Sequence, residues 1–136
     1  MLASPGCWEA YGALLAREYE DQALFAACHR LTVDAYALQH PGDPSDRRAT
    51  RSVWLHFVSL HAIFAHGYTH GAATALLGQI ASQSFGPLPP APDYPLTLAD
   101  LDAGANGHVD SVRLWARGAY DAWRPLLAAS AERLIR

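Results

Sequence analysis

The sequence predicts an all-α protein: an antiparallel bundle of four long helices plus one short helix, with a proline-rich connector. Three observations carry this. Alanine and leucine supply 26 and 18 of the 136 residues, whereas valine, isoleucine and threonine together supply 13. Straight-chain residues and alanine keep their rotamer freedom in a helix, and β-branched residues lose it. Apolar residues then recur at helical spacing in every long segment, and each segment is bounded by capping or stop signals.

The first helix opens at Ser4-Pro5, a capping residue followed by proline at the first helical position. Trp8, Tyr11, Leu14 and Leu15 mark its apolar face. The second starts near Asp21, runs through Leu24, Leu31 and Leu38, and stops at His40-Pro41-Gly42. After the loop PGDPSD, Ser45 or Asp46 caps the third, whose core face is Val53, Leu55, Phe57, Leu60 and Phe64 and whose break is Gly67. A fourth, alanine-rich helix spans about Tyr68 to Gln83. The stretch FGPLPPAPDYP reads as an extended connector lying across the bundle, because Phe85, Leu88, Tyr94 and Leu96 need cover. Thr97 and Asp100 form a capping arrangement for a short turn ending at Gly104. The last helix runs from about Val109, with Val112, Trp115, Ala119, Trp123 and Leu126 at helical spacing, and Pro125 should kink it or end its regular part. The whole chain, 1–136, is expected to be one domain, since nothing beyond the connector is long enough to fold alone.

Composition excludes several functions. A net charge of −3 argues against a nucleic-acid partner, which needs a basic stripe. The ten basic residues are all arginine, so no lysine Schiff base or P-loop lysine exists. No apolar run approaches a membrane span, and the N-terminus lacks the pattern of a signal peptide, so a cytoplasmic location is expected. Two cysteines, Cys7 and Cys28, make no disulfide framework. Oligomerisation is left open.

Histidine is over-represented, with six of seven falling between His29 and His70. On the second helix His29, Tyr36 and His40 share a face, because seven and eleven residues are nearly whole turns. Asp34 sits in the apolar phrase LTVDAYALQHP, where a carboxylate is either on a narrow polar stripe or buried with a partner. The available partners are His29, His40, His56, Tyr36 and the arginines opening the third helix. A buried Asp–His pair serves a metal ligand with its support, a general base with its orienting carboxylate, or an inert hydrogen bond. Cys7 lies near a helix N-terminus, which favours thiolate, or simply packs beside Trp8. There is no HExxH, GxSxG or GxGxxG.

The phrase CHRLTVDAYALQHPG and the downstream SVWLHFVSLH resemble an uncharacterised bacterial family known only as a domain of unknown function. Its members carry a cysteine at the first helix, a phrase like RLTVDAYxxQHPG, an SVxxHLxxL helix and a final helix with a WA…W pattern. These correspond here to Cys7, Leu31 to Tyr36 with Gln39 to Gly42, Ser52-Val53 with His56 and Leu60, and Trp115-Ala116 with Trp123. Many members also have an upstream cysteine pair like a zinc knuckle, which this chain lacks. The resemblance implies a helical domain and points at Asp34, Gln39, His40 and His56, but supplies no activity.

The expected site therefore has Asp34, His40 and His56 converging with Cys7 or His29 on a divalent metal, zinc being favoured by the nitrogen, oxygen and sulfur donors. Asp34 and His56 are the candidate catalytic pair, and Tyr36 and Gln39 the candidate substrate contacts for a small molecule. The alternatives are a metal-free ligand site or biosynthetic enzyme using the Asp–His pair, and a structural or docking protein without a site.

Overall fold

A computed structural model describes residues 5–101 and 107–135. Within them the chain forms α1 (Pro5–Glu20), α2 (Gln22–Gln39), α3 (Arg47–His66), α4 (His70–Ile80), a 3-10 turn (Leu98–Asp100) and α5 (His108–Ile135). All secondary structure among the described residues is helical. The expected cap at Ser4 and the turn end at Gly104 lie outside the described residues.

Local chemistry sets most boundaries. The Asp21 carboxylate accepts from the amides of Ala23 and Leu24 at 3.0 and 3.1 Å, satisfying donors that a helix start leaves free. Asp46 does the same for Arg48, at 2.9 Å. Gly67 ends α3 at φ 68°, a left-handed conformation that suits a residue without Cβ. Thr69 caps α4 by accepting from Ala72 at 3.1 Å, so that helix starts two residues later than the periodicity suggests. Thr97 and Asp100 form the expected capping box.

Helices α2, α3 and α5 pack on one another at the centre; α1 leans on α2 and the 3-10 turn, and α4 chiefly on α3. Trp115, Trp123, Tyr120, Phe57, Leu31, Leu38 and Leu60 are the largest fully buried side chains of the resulting core. Three expectations need correction. Pro125 does not end α5, which continues to Ile135. It sits on the exposed side of the helix, between buried Trp123 and Leu127, where water can satisfy the carbonyl its missing N–H leaves free. The inward residue of that turn is Leu127, not Leu126, which is 47% exposed. Trp8 is likewise 63% exposed, and Leu14 is the buried apolar side chain of α1. No helix among the described residues is long and apolar enough to cross a membrane.

The connector lies across the bundle and is tied down by side chains. Trp54 donates its indole N–H to Gly86 O at 2.8 Å, Gln39 Nε2 donates to Leu96 O at 2.6 Å, and the Tyr94 hydroxyl donates to Leu38 O at 2.7 Å. Phe85, Leu88, Tyr94 and Leu96 are partly buried against the core. These anchors should protect residues 85–96 from limited proteolysis under native conditions, although the segment has no regular structure. Mass spectrometry of early fragments checks this; first cleavage between Phe85 and Tyr94 would refute it.

Candidate functional site

Two fully buried carboxylates organise the polar interior, and one of them is Asp34. It lies on α2 with no exposed surface. Arg30, one turn earlier, reaches it with Nη2 at 2.7 Å and Nε at 3.1 and 3.2 Å. From α3, His56 Nδ1 donates to Asp34 Oδ1 at 2.7 Å and Ser59 Oγ to Oδ2 at 2.5 Å. Positions four apart on α2 and three apart on α3 place each pair on one helix face, so the acid is enclosed from both sides. Of the partners foreseen for Asp34, the structure brings in His56. The guanidinium comes from Arg30 on its own helix rather than from the start of α3. With Nδ1 bound to the carboxylate, His56 keeps Nε2 as its basic nitrogen.

The second acid, Glu18, has no counterpart among the expected site residues. It lies on α1 with no exposed surface and gathers donors from α2 and α5. His29 Nδ1 is 2.9 Å from Oε1, and His108 Nε2 is 2.9 Å from Oε2. Oε2 also accepts from Thr32 Oγ1 at 2.5 Å and from the Cys28 thiol at 3.5 Å. Burial, followed by the charge of Glu18, pushes the Cys28 thiol from 9.0 up to about 12. His108 Nδ1 is buried and finds no hydrogen-bond partner among the described residues. The ligand atoms of Glu18, Cys28 and His108 lie within 4.8 Å of one another, and all three residues are buried. A signal for Glu18 is present in the sequence: Tyr11, Leu14 and Glu18 recur at three and four residues, on the stripe that packs inward.

The remaining expected site residues lie elsewhere. His40 Nδ1 donates to the Tyr36 carbonyl at 2.9 Å, and its ring stacks on Tyr36 at 4.1 Å. Tyr36 in turn stacks on Tyr11 at 3.8 Å. The Tyr36 hydroxyl is buried and finds no hydrogen-bond partner among the described residues. Burial and then the charge of Cys7 raise its pKa. Gln39 bridges Leu96 O and, at 2.9 Å, the Trp115 indole N–H. It also lines a cleft of about 740 Å³ under the connector, with Pro41, Leu88, Tyr94 and Trp123.

Asp34, His56, His40, Cys7 and His29 therefore do not form one ligand group among the described residues. The physical reason is twofold. Asp34 is 140° around an ideal helix from His29, by the 100° step per residue. Its oxygens are also occupied by a guanidinium, whose positive charge opposes a cation in the same place. Beside these centres, a cleft of about 570 Å³ is lined by Phe25, His29, Arg30, Val33, His70 and Thr74. It touches a partner of each buried acid.

The molecule is thus a helical protein with buried polar His/Glu groups that could hold a metal. No curated protein and no solved structure matches the chain. Residues 1–124 match the model of a family of unknown function, DUF5946, and with nearly the whole sequence covered, the chain belongs to that family.

Proposed function

We propose that this protein binds one divalent metal ion, zinc by preference, through Glu18, Cys28 and His108, with His29 contacting the other oxygen of Glu18. One comparison carries the reading. Asp34 has a guanidinium beside it, whereas among the described residues the Glu18 carboxylate is met by imidazoles, a hydroxyl and a thiol. A carboxylate with no exposed surface is stabilised by a nearby positive charge, and a divalent cation supplies one that does not depend on an imidazole taking up a proton. Carboxylate, imidazole and thiolate are the donor types zinc takes. When bound, the ion would act as a Lewis acid or simply tie α1, α2 and α5 together. The cleft lined by His29, Arg30 and His70 would admit a small anionic molecule beside this centre.

Zinc must displace the Cys28 proton. Because that thiol is pushed up to about 12, it is protonated at neutral pH, and binding should release a proton and tighten as pH rises. Titration of tag-free, chelator-stripped protein in buffers of different ionisation enthalpy measures this. Cobalt in place of zinc should give thiolate-to-metal absorption, lost in Cys28→Ser and in Glu18→Gln. Folded protein that takes up cobalt without that absorption would overturn the assignment.

A second reading rests on the Asp34–His56 contact. A carboxylate on Nδ1 orients the ring and leaves Nε2 to act as a base toward a small-molecule ligand, without any metal.

A further inference from the structure

The end of α3 and the last turns of α5 carry another cluster, separate from both buried acids. His61 Nε2 is 2.5 Å and His66 Nε2 2.7 Å from the same oxygen, Glu132 Oε1. The three ligand atoms lie within 4.8 Å of one another. We propose that His61, His66 and Glu132 form a second metal site, open to solvent, for a divalent transition-metal ion.

The three side chains differ in exposure, as an open site requires. The His61 side chain is 5% exposed, and its ring lies 5.7 Å from that of Phe57, at 18°. Those of His66 and Glu132 are 32% and 33% exposed, so they can close on an ion without rearranging the core. Two imidazoles and one carboxylate suit zinc, nickel, copper or iron(II) better than magnesium or calcium, which prefer all-oxygen shells. Three protein ligands leave at least one position of a tetrahedral ion to water or an anion. Two neutral imidazoles and one carboxylate leave a net positive charge on the bound ion, which favours an anion there.

Tyr120 makes the change of protonation feasible. To ligate through Nε2, His61 must carry its ring proton on Nδ1, which lies 2.7 Å from the Tyr120 hydroxyl. That hydroxyl is buried with its residue at 2% exposure. It donates to Nδ1 when Nε2–H points at Glu132, and accepts from Nδ1–H when Nε2 is given to a metal. The contact between Nδ1 and the hydroxyl is kept in either tautomer, so His61 Nδ1 has a partner with and without an ion. Tyr120 is here a positioning residue, not a ligand.

The test is equilibrium dialysis of tag-free, chelator-stripped full chain against zinc, with metal counted per folded protein. Wild type should take up two equivalents, and His66→Ala, a surface change, one. The His66 equivalent should exchange quickly with chelator, and cobalt bound there should show ligand-field bands without thiolate absorption. Tyr120→Phe should weaken that equivalent about 10- to 100-fold, the usual effect of removing a ligand's hydrogen-bond partner. Equal uptake by wild type and His66→Ala overturns the proposal. A single equivalent removed by Glu18→Gln also overturns it and leaves the buried centre standing. A single equivalent removed by His66→Ala supports it and overturns the buried centre instead.

Discussion

Asp34→Ala should destabilise the protein by about 3–5 kcal/mol, the usual result of removing one member of a buried ion pair. The loss is large because three partners are stranded together. Arg30 keeps its charge with a side chain only 17% exposed, His56 loses the acceptor for Nδ1, and Ser59 is fully buried. For a domain of this size each kcal/mol shifts the melting temperature by about 4 °C, so a fall of about 12–20 °C is expected in a thermal scan. Ser59→Ala on top of Asp34→Ala should cost little more, since the hydroxyl has already lost its partner. A drop of less than about 1 kcal/mol for Asp34→Ala would show that the network does not bear on stability.

Glu18→Ala should be of similar size, about 3–5 kcal/mol in the metal-free protein, but with a different spatial signature. Glu18 joins α1 to His29 and Thr32 on α2 and to His108 on α5. Otherwise α1 packs only on α2 and the 3-10 turn among its stronger contacts, so it is the long helix most dependent on this tie. Hydrogen exchange should accelerate first in residues 5–20, whereas Asp34→Ala should loosen α2 and α3 together. Glu18→Gln can still accept from Thr32 but loses the charge, so it should retain more stability while giving up metal. Uniform acceleration across all helices in Glu18→Ala would contradict the proposed division.

What could be read from the chain alone was what is decided within a few residues. Asp21, Asp46, Gly67 and the Thr97–Asp100 pair act on backbone groups no more than three or four positions away, and each does in the structure what its position implies. The connector was readable for a related reason: five prolines from Pro87 to Pro95 forbid a helix, and four large apolar side chains demand cover. That Asp34 needed a partner was equally visible, because an apolar phrase around a carboxylate leaves few other outcomes.

The identity of the partners was decided by the packing. Arg30 was within reach of Asp34 by helix spacing alone, yet whether it turned inward or toward water depended on α3 closing over that face. Pro125 shows the same dependence in reverse, since a residue that would break a buried helix is harmless on an exposed face. Glu18 is the extreme case. Its apolar stripe said only that it faced the bundle, and its partner His108 lies 90 positions further along the chain. Helical spacing reports which side chains share a face of one helix. It carries no information on how that helix is rotated against another, and the buried Glu18 centre and the His61–His66–Glu132 cluster both lie between helices, where only that rotation brings the groups together.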